Sequence, residues 1–177
     1  MPVGRSIMYV HFAQEFASEL LDVKSDEDLE LAMAEVSDRL GFDHFALSLE
    51  LRSGSRAGSA MLLHDYPDEW AKVYVGFELA GQDPVRRACD KSFVGFAWES
   101  LEDLIPLTRG DRQMLAVGRE CGIADGFTVP RHLPGLARGT CTFAVRPERD
   151  LPRQRLAYAE LVGTLALSCA LALDPTG

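Results

Sequence analysis

Between Phe42 and His64 the chain leaves a helical rhythm for a two-residue one, and that switch constrains the fold more than any other feature. Phe42 to Leu51 (FDHFALSLEL) alternates as a strand does, Arg52 to Gly58 is a Ser/Gly/Arg turn, and Ser59 to His64 (SAMLLH) returns. Strand, turn and strand make a hairpin. Two strands alone are marginal in water, so this hairpin needs further strands beside it and helices to cover it.

The rest of the chain supplies both. Ile7 to Leu21 places Tyr9, Phe12, Phe16 and Leu20 at helical spacing. A second helix is expected from Asp26, capped by Ser25, with Asp26, Glu27 and Asp28 at the positive end of its dipole. Its apolar face is Leu29, Met33, Val36 and Leu40, and Gly41 stops it. After the hairpin, Tyr66 to about Ala80 is helical, Asp83-Pro84 opens a short helix, and Arg109 to Cys121 forms another. Phe127 to His132 and Thr140 to Val145 are two more strands, separated by the loop Leu133 to Gly139. Leu151 to Leu173 is a long apolar helix carrying Leu156, Leu161, Leu165 and Leu167. That order predicts an α+β fold with a central antiparallel sheet and helices on both faces. A length of 177 residues fits one domain, residues 1–177, and 47% apolar content is enough for a core with space left for a ligand.

Composition narrows the function. The net charge is −9, from 18 basic and 27 acidic residues, and the arginines form no stripe, so this chain alone is not expected to grip DNA. No run of about 18 apolar residues is evident, so no membrane span is expected. Met1 to Ser6 lacks the pattern of a secretory signal. Cys89, Cys121, Cys141 and Cys169 form no CxxC pair and read as small buried hydrophobes of a reducing compartment, hence a cytoplasmic protein. His11, His44, His64 and His132 show no metal spacing, and no Gly-x-Ser-x-Gly elbow is present. The expectation is a protein that is not an enzyme and needs neither metal nor cofactor.

The densest polar-aromatic cluster lies between Tyr66 and Trp98. Tyr66, Trp70, Tyr74 and Phe77 share one helix face, which is the usual way to fill a core. A buried Trp N–H and two Tyr hydroxyls each need a partner, however, which makes them costly filling. Asp83 before Pro84 reads first as a helix cap. Phe96 and Trp98 read first as core packing. On the strand Gly139 to Val145, alternation sets Thr140, Thr142 and Ala144 on one side and Cys141, Phe143 and Val145 on the other. Such a Thr-rich face commonly meets solvent.

Taken together, these elements resemble the autoinducer-binding domain of LuxR-type quorum-sensing regulators. The resemblance rests on Tyr66-Pro67-Asp68-Glu69-Trp70-Ala71-Lys72-Val73-Tyr74, then Asp83-Pro84, then Trp98, then Gly126-Phe127-Thr128-Val129-Pro130-Arg131-His132, in the order and spacing of that family. It covers about Phe42 to Val145. It implies an α-β-α sandwich holding an N-acyl-homoserine lactone between the sheet and the helices on one side. By that resemblance Trp70 donates to the lactone carbonyl, Asp83 accepts from the ligand amide, Tyr66 donates to the acyl carbonyl, and Thr142 supports that region. Tyr74 and Trp98 close the pocket; Val85, Phe96, Leu62, Ala46, Ser48 and Thr140 are further expected ligand-binding residues. A ligand head with two carbonyls and one N–H calls for two donors and one acceptor, which Trp, Tyr and ionised Asp supply.

The chain also departs from the pattern. Gly95-Phe96-Ala97-Trp98 stands where Pro-Phe-x-Trp is common, which is expected to loosen that turn. Ala71 removes a polar side chain near the 3-position of the acyl group. Arg138 falls near a tail-lining position, pointing either outward or at an unusual acyl group. Ala46, Ser48, Ala60 and Leu62 are expected to face a roomy tail channel. The resemblance implies a helix-turn-helix DNA-binding domain that these residues do not contain, so DNA contact is expected only through a segment outside this chain. The apolar surface of Leu151 to Leu173 suggests a homodimer. Three other readings stay open: a lactone or ester hydrolase, the same fold retuned to an aryl or plant-derived signal, and a ligand-free dimerisation module that inhibits full-length regulators.

Overall fold

The computed structural model describes residues 3–53, 57–79 and 82–173, and its account of side chains leaves out 3–9 and 77–79. Tyr9, Phe77 and the expected helix end at Ala80 therefore lie outside what is described. Helices α1 (Val3–Leu21) and α2 (Asp26–Leu40) come first, followed by β1 (His44–Leu51) and β2 (Ala60–His64). Then come α3 (Asp68–Leu79), α4 (Pro84–Cys89), a two-residue strand β3 (Phe96–Ala97), a 3-10 turn, and α5 (Leu101–Leu104). The chain closes with α6 (Arg109–Glu120), β4 (Asp125–Leu133), β5 (Ala137–Val145) and α7 (Leu156–Ala172). The α+β expectation holds: five strands in the order β2-β1-β5-β4-β3, every pairing antiparallel, lie between two helical layers.

Local chemistry explains the element ends. The Ser25 hydroxyl accepts from the Asp28 N–H at 3.1 Å, and Gly41, at φ +93°, closes α2 in the left-handed region. At α6 a capping box appears that the sequence reading overlooked. Thr108 Oγ1 accepts from the Asp111 N–H at 3.1 Å, and Asp111 Oδ2 accepts from the Thr108 N–H at 2.9 Å. The expected loop from Leu133 to Gly139 is mostly strand. Pairing runs on through His132↔Arg138 to Leu133↔Ala137, leaving a tight turn at Gly135, φ +73°. Pro130 sits within β4 beyond the last residue paired to β3, where β4 has no second neighbour.

The sheet's two faces pack differently. Phe45, Leu47, Leu49, Phe127, Val129, Cys141, Phe143 and Val145 form the main core with α1, α2 and α7. Part of the long apolar helix is thus spent inside the chain. Ala159, Val162, Gly163, Ala166, Leu167 and Ala170 are buried, and a Cβ on Gly163 would lie 2.9 Å from Val129. Contrary to the sequence expectation, Arg153–Ala172 is long and apolar enough to cross a membrane by length and composition, with mean hydropathy 1.3. A helix wedged between a sheet and α1 needs apolar residues on more than one side, which produces that composition.

The turn before β3 is tied down rather than loosened. The Gly95 N–H donates to Glu160 Oε2 of α7 at 2.6 Å, and a Cβ at this position would collide with that carboxylate and with the Phe127 ring. A proline here would lose the donor and add the clash. Gly95→Pro is expected to cost at least the charged hydrogen bond, about 1.5–3 kcal/mol, in a urea unfolding experiment.

Candidate ligand-binding site

On the opposite sheet face, pairing aligns Ala46 with Thr142, Ser48 with Thr140, Gly126 with Ala144, and Thr128 with Thr142. These residues are small or hydroxylated, and they are buried: Thr128 is 0%, Thr142 6% and Thr140 9% exposed. The solvent-facing reading of the threonines is therefore overturned. They are covered by α3, α4 and α6, where Tyr66, Trp70, Tyr74, Met114 and Ile123 cluster with Ala46 and Ala144.

Between these layers lies one buried cavity. Tyr66, Trp70, Tyr74, Asp83, Val85, Trp98 and Thr142 line it, as the sequence predicted, together with Met114, Leu115, Gly118 and Ile123. Those last four were missed. Their signal was the strongly one-sided face of α6, on which Met114 and Gly118 stand one turn apart. Leu62 and Ala46 pack around the same aromatics without lining the cavity. Phe96 instead joins Val85, Ala88, Cys89, Leu101 and Ile105 in a satellite core. Ser48 and Thr140 continue the same sheet face beyond the cavity, while Ala60 is exposed. The free volume is about 30 Å³, room for roughly one water. The expected void is thus almost filled by the aromatic side chains.

Each wall is built deliberately. Tyr66 meets Tyr74 edge-on at 5.1 Å and 87°, and Trp70 lies 6.1 Å from Tyr74. Trp98 lies against β4 because residue 126 is glycine: a Cβ there would be 2.7 Å from the indole. The Trp98 indole N–H donates to Thr128 Oγ1 at 2.9 Å, and the Thr128 and Thr142 hydroxyls share a bond of 2.7 Å. Trp98 is therefore satisfied by the protein, and Thr142 is fixed at the cavity wall. Asp83 does two jobs. Its Oδ1 caps α4 by accepting from the Val85 N–H at 2.9 Å, and the same carboxylate, 6% exposed, faces the cavity.

The short helix that carries Asp83 is anchored on three sides. Arg86 pairs with Glu50 of β1, Arg87 with both Asp111 oxygens at 3.1 and 2.6 Å, and Asp90, just past the helix, with Arg138 of β5. Burial acts to raise the Asp111 carboxyl, but Arg87 and Thr108 hold it below its ordinary value. Among the described residues no group of three or more His, Cys, Asp or Glu side chains could hold a metal ion. Burial also pushes the Cys89 and Cys141 thiols well up, so both stay protonated.

A profile of the autoinducer binding domain matches residues 25–173. The chain belongs to that family. Similar proteins include the transcriptional activator protein AnoR of Acinetobacter nosocomialis, 25% identical over 87 residues, which are 49% of this chain and 37% of AnoR. The chain thus spans little more than a third of that relative's length. Among solved structures, Escherichia coli SdiA superposes with a TM-score of 0.74 at 16% identity, over 94% of this chain and 69% of SdiA. SdiA in complex with octanoyl-rac-glycerol gives 0.72 at 16% identity, over 92% and 66%. CepR2 of Burkholderia cenocepacia, described as an N-acylhomoserine lactone dependent LuxR family transcription factor, gives 0.67 at 17% identity, over 93% and 95%. At these identities the superpositions show a shared fold, the α-β-α sandwich of this autoinducer-binding domain.

The position of Tyr66 is set by a small polar cluster at the end of β2. The Tyr66 N–H donates to His64 Nδ1 at 3.3 Å, Asp65 Oδ1 accepts from the Phe45 N–H at 2.7 Å, and His44 Nδ1 bonds the Asp65 carbonyl at 2.9 Å. The Asp65 carboxylate, 3.6 Å away, holds His44 above the ordinary imidazole value of 6.5, against the opposing effect of burial. A group raised in the folded state stabilises fully below its unfolded pKa and less as pH climbs through the folded one. The stability advantage of wild type over His44→Gln is therefore expected to be largest below pH 6.5 and to shrink above it, as read from urea midpoints across pH.

Proposed function

We propose that this autoinducer-binding domain is the sensory part of a transcription regulator and binds an N-acyl-homoserine lactone in the cavity between the sheet and α3, α4 and α6. The observation that carries the reading is the convergence of Tyr66, Trp70, Asp83 and Thr142, from separate segments, on one buried space. Tyr66 and Trp70 are donors and Asp83 an acceptor, which complements two carbonyls and one amide N–H. Trp70 is assigned to the lactone carbonyl, Tyr66 to the acyl carbonyl, and Asp83 to the amide. Thr142 supports the acyl carbonyl region, and Tyr74 and Trp98 wall the ring. The dependence that CepR2's description records, and the octanoyl chain carried by SdiA's ligand, support an acyl ligand. DNA contact is assigned to a separate domain and the cytoplasm is the proposed location.

Small-molecule pockets commonly measure about 300–1,000 Å³, far above the 30 Å³ found here. Binding must therefore move the aromatic layer. The gain is large enough: at about 0.8 kcal/mol per buried CH₂, a six- to eight-carbon tail offers roughly 5–6 kcal/mol. Occupancy then stabilises only the folded state. The nearly filled interior also favours a second reading, a ligand-free dimerisation module. Co-expression with a panel of acyl-homoserine lactones and 1-octanoyl-glycerol, mass spectrometry of what co-purifies, and melting with added compound separate the two. The expected result is a retained lactone and a rising Tm; no retained molecule and a fixed Tm would favour the module.

Asp83→Asn tests the site itself. Asn caps a helix as well as Asp, so α4 should survive, but its amide turns a donor toward the ligand's N–H. Affinity is expected to fall at least tenfold in a titration of the folded variant, since the lost charged bond is worth about 1.5–3 kcal/mol.

A homodimer is proposed as well, on the part of α7 that the chain does not bury. Its exposed large hydrophobic residue is Leu161, at 45%, beside a loop pinned to α7 through Glu160 that presents Phe93 at 99% and Val94 at 62%. Sedimentation should show a dimer that Phe93→Ser with Leu161→Ser reduces to monomer; a monomeric wild type with ligand bound would refute it.

A further inference from the structure

We propose that Arg138 reads the far end of the acyl chain and selects ligands with a neutral oxygen acceptor there, an inference that rests on the lactone reading above. Arg138 stands on the same face of β5 as Thr142, with register partners Glu50 on β1 and His132 on β4. Between Thr142 and Arg138 that face carries only Thr140, with Ser48 across from it, so no bulky side chain rises from the sheet along this line.

The roof over the same line is α4. Its capping residue Asp83 faces the cavity, and Asp90 beyond its last turn bonds Arg138 Nη2 at 2.5 Å. From Asp83 to Asp90 is about 10 Å of helix, and from Thr142 to Arg138 about 13 Å of strand. Both ends of this span lie between the same two elements, and a tail reaching Arg138 would have to part α4, whose Ala88 and Cys89 are fully buried, from the sheet. The distance corresponds to on the order of ten bonds of an extended chain, the reach of a medium-length acyl tail.

Arg138 is not merely a surface residue that has folded back. Its side chain is only 18% exposed, Asp90 and the Arg86 carbonyl take its Nη2, and its Nε is a buried donor without a partner. An unmet buried N–H is costly and an alkyl terminus would leave it unmet. A hydroxyl or keto oxygen would satisfy it. A carboxylate would meet the Asp90 charge that already balances the guanidinium, so the acceptor read here is a neutral one.

The test compares octanoyl-homoserine lactone with its 8-hydroxy and its terminal-carboxylate analogues on wild type, Arg138→Met and Asp90→Asn, using calorimetric titration. Burying an extra hydroxyl normally weakens binding unless it is bonded, so a preference for the hydroxylated tail is informative. Wild type should bind the 8-hydroxy compound at least fivefold tighter than the plain octanoyl one and bind the carboxylate weakest. Arg138→Met should reverse the first preference. Asp90 is half-exposed, and Asp90→Asn should raise carboxylate affinity at least fivefold; this variant decides the matter if Arg138→Met does not fold. Lactone binding with equal or tighter affinity for the plain tail on wild type would overturn this inference alone. Failure of all three lactones to bind would overturn the site reading and this inference with it.

Discussion

Each strand of the sheet alternates between two kinds of neighbour, and the arrangement depends on that division. One face is Phe, Leu and Val from β1, β4 and β5, closed by α1, α2 and α7. The other is Ala, Ser and Thr, closed by Tyr and Trp. Close-packed cores need complementary volumes, so a face of small residues requires large ones opposite it. The aromatics of α3 therefore sit where they do because Ala46, Ala144 and Thr142 leave them room. Hydroxyls on that face are affordable only in pairs, and Thr128 with Thr142 is such a pair, completed by the Trp98 indole.

Asp83, the proposed acceptor, stands at the start of the short helix α4. A six-residue helix has little stability of its own, and α4 holds its place through Arg86 to Glu50, Arg87 to Asp111 and Asp90 to Arg138. The elements gripped are β1, α6 and β5, and of these α6 and β5 line the cavity. The cap holds Asp83 Oδ1 on the Val85 N–H at 2.9 Å. The cap fixes its orientation, which is what a recognition group needs.

How much of this was legible in the sequence follows from which interactions are local. The two-residue alternation of β1 and β5 and the helical rhythm of α2 are local, and so is the Ser25 cap; all were read correctly. Tyr66, Trp70, Asp83 and Thr142, named by resemblance, line one cavity. The strand β3, only two residues long, carries no periodicity to detect. The lining residues of α6 belonged to an ordinary amphipathic face whose partner is set by tertiary packing. Gly95 was misjudged because its restraint comes from Glu160, far along the chain. That α1 and the sheet both claim part of the apolar stretch of α7 is set by tertiary packing and was not legible in the sequence.

The closed interior bears on how a sensor of this kind works. A rigid, preformed pocket would bind without altering the rest of the molecule, and occupancy would then carry no signal beyond mass action. Here the space is about 30 Å³, so a guest must displace Tyr66, Trp70 or Tyr74, or lift their layer from the threonine face. The same layer also carries α4, whose three ion pairs reach β1, α6 and β5. The opposite core, built from large residues in contact with α1, α2 and α7, need not change. On the proposed lactone reading, binding free energy from an acyl tail is divided between opening one layer and stabilising the whole. A ligand shifts such an equilibrium only by its differential affinity for the open and closed arrangements.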